Sequence, residues 1–76
     1  MNKDTLKGQW KQFSGEVKSR WGKLTDNHLK EISGNYDKLV GRIQEAYGYQ
    51  REQAQQEVDN FLNSYPDTAF AGGHSE

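Results

Sequence analysis

The sequence from Leu6 to Leu24 reads LKGQWKQFSGEVKSRWGKL, and its large apolar side chains recur every three or four residues. These side chains belong to Leu6, Trp10, Phe13, Val17, Trp21 and Leu24. The spacing matches the turn of an α-helix and places all six on one face. We therefore predict an amphipathic first helix, capped at its start by Asn2 or Asp4 and ended by Gly22 in the left-handed conformation.

After this helix the sequence predicts a short second helix and a longer third one. Thr25 or Asp26 can cap the second helix, which extends to about Ser33. The third begins beyond a junction at Gly34 and ends at Gly48, because glycine readily adopts the left-handed conformation that terminates helices. Its apolar stripe consists of Ile32, Tyr36, Leu39, Ile43 and Tyr47.

A fourth helix is predicted from Gln50 to Ser64. Glu52 falls in its first turn, where a negative charge interacts favourably with the helix dipole. Residues 65–76 show no helical periodicity and include two adjacent glycines. We therefore expect a helical domain of residues 1–64 followed by a flexible C-terminal tail of residues 65–76.

An offset of 26 residues relates the first helix to the third. It aligns Gly8, Gly15 and Gly22 with Gly34, Gly41 and Gly48, and it aligns the apolar residues of the first stripe with those of the second. We interpret this as an internal pseudo-repeat. The predicted fold is all-α, a small bundle of about four helices built from two αα-hairpins that pack on each other.

The composition indicates a folded domain with a small core. Leu, Ile, Val and Phe make up only 13 of the 76 residues, but the net charge is only -1 and aromatic residues make up 12% of the chain. A disordered chain normally lacks that aromatic content. The expected core is Leu6, Trp10, Phe13, Val17, Trp21, Leu24, Ile32, Tyr36, Leu39, Ile43, Tyr47, Val58 and Phe61, with Leu29, Ala54 and Leu62 also facing inward.

Glycines inside the predicted helices need a separate explanation. Gly8, Gly15 and Gly41 fall opposite the apolar stripes, so they are not spacers within the core. Gly15 and Gly41 are interior to helices, where each costs about 1 kcal/mol relative to Ala. Three interpretations stay open: a smooth interaction strip for a partner, a deliberately marginal stability, or simple tolerance of mutation.

Charge is distributed unevenly along the chain. Residues 1–24 carry a net charge of +4 and residues 25–76 a net charge of -5. Lys7, Lys11, Lys18 and Lys23 could form an anion-binding face for nucleic-acid phosphates or an anionic membrane surface. The aromatic residues beside them are needed for the core, and the pI near 6.1 is far from that of a dedicated nucleic-acid binder. A solvated basic face offset by the acidic last helix is the simpler interpretation.

No catalytic, cofactor or metal site is predicted. His28 and His74 are the only histidines, His74 lies in the expected tail, and there is no cysteine or phosphate-binding loop. No apolar run approaches the roughly 18 residues of a membrane-spanning helix. The charged start, Met1-Asn-Lys-Asp4, predicts no secretory signal, so we expect a cytoplasmic protein that is not an enzyme.

Several segments resemble the CsbD-like family of small bacterial stress proteins. They are Gly8-Gln-Trp10-Lys-Gln-Phe13-Ser-Gly15-Glu-Val17-Lys18, Trp21-Gly-Lys-Leu-Thr-Asp26, Gly34, Leu39-Val-Gly-Arg-Ile-Gln44 and Tyr47-Gly-Tyr49. The resemblance covers about residues 1–62 and implies a compact helical bundle, a bacterial cytoplasmic location and induction in the general stress response. It supplies no catalytic residues. This chain departs from the family pattern at Ser14, where lysine is usual, at Asn27-His28, where more acidic residues are usual, and in the segment from Tyr65 onward.

Two functional hypotheses follow. The first is a protective or interaction protein of the stress response, with an unidentified protein partner or client. The alternative is a nucleic-acid-binding module that uses the basic first helix. Neither partner identity nor oligomeric state follows from the sequence.

Overall fold

A computed structural model describes residues 2–65, and this part of the chain folds into five α-helices with no β-strand. The helices are α1 (Lys3–Gly8), α2 (Trp10–Arg20), α3 (Asp26–Ile32), α4 (Tyr36–Tyr47) and α5 (Arg51–Asn63). The predicted all-α class is confirmed. The second, third and fourth predicted helices correspond to α3, α4 and α5.

The predicted first helix is divided in two at Gln9. Asn2 caps α1, because its side-chain oxygen accepts a hydrogen bond from the Thr5 backbone N–H at 2.8 Å. Gln9 has φ -112° and ψ 23°, outside helical geometry, yet its carbonyl accepts from the N–H of Phe13 at 3.0 Å. The apolar stripe therefore continues across the break, from Leu6 in α1 into α2.

The predicted end of the first helix at a left-handed Gly22 is wrong. Helix α2 ends at Arg20, and within residues 2–65 the glycines with positive φ are Gly34 and Gly48. Trp21 leaves helical geometry and is only 3% exposed, and its carbonyl accepts from the Leu24 N–H at 3.0 Å. The chain thus turns because Trp21 enters the core, without needing glycine's conformational freedom.

A reciprocal capping box starts α3. The Thr25 hydroxyl oxygen accepts from the His28 backbone N–H at 3.1 Å, and His28 Nδ1 accepts from the Thr25 backbone N–H at 3.3 Å. The helix ends at Ser33, which adopts the left-handed conformation with φ 47°. Two donors at the helix start are satisfied in this way, which stabilises a helix of only two turns.

Close packing at the junction between α3 and α4 requires Gly34. This residue is buried and has φ +82°, and a β-carbon placed on it would lie 2.7 Å from the Cα of Lys7. The junction therefore rests directly on the backbone of α1. Asn35 then caps α4 by accepting from the Lys38 N–H at 2.9 Å, and Gly48, with φ 71°, ends α4 as predicted.

One apolar core holds the helices together. Its fourteen buried residues are Leu6, Phe13, Val17, Trp21, Leu24, Leu29, Ile32, Leu39, Val40, Ile43, Ala54, Val58, Phe61 and Leu62. Of the residues expected in the core, Trp10, Tyr36 and Tyr47 are only partly buried against it. Val40 was not expected there. It is fully buried because α4 packs against both α3 and α5 and so buries two adjacent rows of side chains.

The 26-residue pseudo-repeat and the domain boundary at residue 64 stay predictions. Glycines paired by the repeat differ in surroundings, since Gly8 is exposed whereas its counterpart Gly34 is buried. Residues 66–76 of the expected tail lie outside the described part of the chain. Tyr65, its first residue, packs against the core through Phe13 and Phe61.

Candidate interaction surface

The predicted interaction strip is distributed over three helices. Gly8 ends α1 and Gly15 lies within α2, and both are exposed, whereas Gly41 in α4 is half-buried. Gly41 lines an open groove together with Ile32 and Arg42. Gly8 and Gly15 do not line this groove. Apart from the adjacent residues and the nearby backbone of the same helix, a β-carbon added to any of the three glycines would have no atom within 4 Å. Packing therefore does not require glycine at these positions.

The four lysines of the predicted anion-binding face have different surroundings. Lys18 Nζ lies 2.7 Å from Asp26 Oδ1, and this hydrogen-bonded ion pair holds the pKa of Asp26 below its usual value, with a smaller contribution from Lys30. Lys23 Nζ lies 5.0 Å from the centre of the Tyr47 ring. Lys7 and Lys11 are exposed and form no ion pair within residues 2–65. Two of the four lysines, Lys18 and Lys23, thus already contact other side chains of the protein.

An open groove between α2 and α3 brings together residues that the sequence pattern did not connect. We call it the Trp10 groove; it has a volume of about 580 Å³ and is lined by Trp10, Lys11, Ser14, Asp26, Leu29, Lys30 and Ser33. The indole Nε1–H of Trp10 donates to the Leu29 carbonyl at 3.1 Å, so the ring is held in one orientation across the two helices. Lys11 and Lys30 are separated by 19 positions in sequence, and no periodicity relates them.

Aromatic side chains connect α2 to α5 elsewhere on the molecule. The ring centres of Trp21 and Phe61 are 5.3 Å apart, and those of Phe13 and Tyr65 are 5.2 Å apart, both with edge-to-face geometry. The Tyr65 hydroxyl donates to Glu16 Oε1 at 2.9 Å, and this hydrogen bond, together with burial and the negative charge of Glu16, raises the Tyr65 pKa. We call Phe13, Trp21, Phe61 and Tyr65 the aromatic cluster.

Tyr36 forms a similar link between α4 and α5. Its hydroxyl donates to Asp59 Oδ1 at 2.7 Å. Burial raises the pKa of Tyr36 to about 12, with the hydrogen bond to Asp59 as the second cause. Lys3 Nζ from α1 lies 4.3 Å from the centre of the ring. This side chain of α4 therefore contacts two other helices, α1 and α5, while remaining partly accessible to water.

The described residues contain no group of three His, Cys, Asp or Glu side chains that could hold a metal ion. His28 is used in the cap of α3, and His74 is outside the described range. None of the helices in residues 2–65 is both long and apolar enough to cross a membrane.

Comparison with known proteins gives the same family as the sequence motifs. The sequence model of the CsbD-like family matches residues 4–56. UPF0337 protein YjbJ of Escherichia coli is 59% identical over 61 residues, covering 80% of this chain and 88% of that protein. UPF0337 protein pc0632 of Protochlamydia amoebophila is 48% identical over 65 residues, covering 86% of this chain and 98% of that protein. Since the family match spans well over half of the chain and both relatives are covered almost completely, the chain belongs to the CsbD-like family.

Proposed function

We propose that this chain is a stress-response protein of the bacterial cytoplasm that binds and protects other proteins without catalysing a reaction. Its membership of the CsbD-like family supports the stress-response setting. The observation that carries the protective role is the presence of helix-interior glycines at positions where the fold has room for a larger residue.

Gly15 and Gly41 lower the stability of the helices without a compensating packing contact. Each costs about 1 kcal/mol relative to Ala in a helix interior. A domain of this size has a total stability of only about 5 kcal/mol, so the two glycines remove a large share of what the fold could attain. Marginal stability makes helix order sensitive to heat and solutes.

A partly opened state would expose apolar side chains to other proteins. Helix α2 contributes Phe13 and Val17 to the core, both fully buried in the closed structure. If α2 separates from α5, these side chains become available to the apolar surface of an unfolding client. The closed state would re-form when the client is released.

Aggregation of a heat-labile client enzyme, followed by light scattering, tests this function. Wild-type protein should suppress the aggregation, and the Gly15→Ala/Gly41→Ala variant should suppress it less, because about 2 kcal/mol of added helix stability disfavours the opened state. Gly22→Ala is the matched control, since it adds the same methyl group at an exposed glycine outside the helices. No suppression by the wild type, or equal suppression by the stabilised variant, would contradict the proposal.

Nucleic-acid binding is a second candidate, supported by Lys7 and Lys11, which are exposed and form no ion pair with another residue of the described range 2–65. Trp21 is 3% exposed in the closed structure and cannot stack on a base there. Trp10 is half-buried and offers part of one ring, so most of the binding would rest on phosphate contacts and should weaken steeply with added salt. A mobility-shift titration at low ionic strength checks this, and the absence of a shift would exclude it.

A further inference from the structure

We propose that the Trp10 groove binds a short acidic segment of a partner protein, one that carries an apolar side chain between its carboxylates. This inference rests on the proposed function, to which it adds a partner-binding surface that the closed fold already presents.

The floor of the groove is apolar and fixed in position. Leu29 is almost fully buried, and its carbonyl accepts the hydrogen bond from the Trp10 indole. Trp10 itself is half-buried, whereas Trp21, the other tryptophan, is buried. An aromatic ring that is held by a hydrogen bond and still reaches solvent offers contact area without a large loss of conformational entropy on binding.

The rim of the groove carries positive charge that the fold does not neutralise by ion pairing. Lys11 comes from α2 and Lys30 from α3, and neither forms an ion pair within residues 2–65. Asp26, the acidic residue of the groove, is bound by Lys18 at 2.7 Å. Charge complementarity therefore selects carboxylates on the occupant, one for each free lysine, with the apolar side chain placed over Trp10 and Leu29.

The size and net charge of this surface favour a peptide over a nucleic acid. A volume of about 580 Å³ suits a few residues of extended chain rather than a long helix. Two lysines without an ion pair in residues 2–65 line the groove, which is enough for a short acidic segment but too few for the series of phosphate contacts on which nucleic-acid binding rests.

Fluorescence anisotropy of a labelled peptide tests the assignment directly. The probe is the blocked hexapeptide Asp-Glu-Phe-Leu-Glu-Asp, compared with Lys-Lys-Phe-Leu-Lys-Lys and with a labelled single-stranded oligonucleotide. The acidic peptide should bind the wild-type protein, and Lys11→Gln/Lys30→Gln should weaken that binding roughly tenfold, as expected for the loss of two surface ion pairs. Lys23→Gln/Lys38→Gln removes the same charge elsewhere and should weaken it far less.

A second measurement locates the peptide on the indole. In a Trp21→Phe background, Trp10 is the only tryptophan, so its emission should shift when the acidic peptide binds. Circular dichroism shows whether that background variant remains helical. If it unfolds, iodide quenching of the wild-type protein with and without peptide reports on Trp10, because the buried Trp21 is shielded from the quencher.

The outcomes separate this inference from the protective function. Equal binding of the acidic and basic peptides, equal loss in the two lysine pairs, or tighter binding of the oligonucleotide would overturn the groove assignment. Client protection without peptide binding would leave the protective role intact and refute the groove. Peptide binding without client protection would support the groove assignment and refute the protective role.

Discussion

At Gly34 a single added methyl group would meet the backbone of α1. At the other five glycines of residues 2–65, a β-carbon would have no atom within 4 Å apart from the adjacent residues and the nearby backbone of the same helix. Glycine therefore affects stability in opposite ways at different positions. Packing requires it at Gly34, whereas at Gly15 and Gly41 it lowers helix stability without a packing need.

Replacing Gly34 with Ala should destabilise the protein by about 3 kcal/mol, because the change combines a left-handed backbone with a backbone clash. Urea unfolding followed by circular dichroism measures the change. Gly48→Ala is the matched control, since Gly48 is also left-handed, with φ +71°, but has open space around it. That variant should lose only about 1 kcal/mol, and equal losses in the two variants would show that the contact with Lys7 is not the cause.

Tyr36 should make the protein sensitive to alkali. Its pKa is raised to about 12 in the folded state from an ordinary value of 10.0, so the unfolded chain loses this proton first. The stabilising contribution is fully present below pH 10 and is lost as the pH rises toward 12. Tyr65, whose pKa is also raised, contributes with the same sign.

The free energy of unfolding, measured at several pH values for the wild type and for Tyr36→Phe, checks this expectation. Between pH 10 and 12 the free energy of unfolding should fall more in the wild type than in Tyr36→Phe. A difference that stays constant with pH would show that the phenol has the same pKa in the folded and unfolded states.

Among the elements, α3 depends most clearly on its cap. It has seven residues, too few for an isolated helix to persist in water, and Thr25 and His28 satisfy two of its free donors. Thr25→Ala should cost about 1 kcal/mol in the free energy of unfolding, whereas Thr25→Ser should cost much less because the hydroxyl acceptor remains. Thermal unfolding of both variants distinguishes them, and equal destabilisation would rule out the cap as the cause.

The helices could be predicted where caps, terminal glycines and apolar spacing within a short stretch of sequence define them. Thr25, Gly48 and the spacing of the apolar residues correctly located α3, α4 and α5 within one or two residues. The break at Gln9 was not predicted, because the adjacent Gly8 disfavours a helix no more than Gly15 does, and Gly15 lies inside α2 without a break. The end of α2 was wrongly predicted at Gly22 because the burial of Trp21, a tertiary effect, sets the turn.

At the scale of the whole molecule, the aromatic cluster joins α2 to α5, which are far apart along the chain. The edge-to-face contacts of Phe61 with Phe13 and Trp21 bridge α2 and α5. Phe61→Ala should remove about 3 kcal/mol or more, a large part of a small domain's total stability. Far-ultraviolet circular dichroism should show partial loss of helix without denaturant. Asn60→Ala, its exposed neighbour, should change stability by less than about 0.5 kcal/mol.

The candidate site was only partly predictable for the same reason. The spacing of Lys7, Lys11 and Lys18 along the predicted first helix is visible in the sequence, and so is the excess of positive charge. The pairing of Lys18 with Asp26 and the position of Lys30 beside Lys11 depend on how α3 folds back on α2. Contacts between helices, and not the pattern within one helix, determine which lysines remain available.

The contact between Gly34 and Lys7 also bears on how fast the chain folds. Most closely packed helix pairs are neighbours along the chain, namely α1 with α2, α3 with α4 and α4 with α5, and the contact of α1 with α4 is the longer-range addition. Helical domains with such local topology fold in microseconds to milliseconds. Two longer loops, one from Lys7 to Gly34 and one from Phe13 to Phe61, must still close, and we expect their closure to be the slower step. We therefore expect the protein to regain its helices within milliseconds once a denaturing condition is removed, which stopped-flow circular dichroism after dilution from urea would measure.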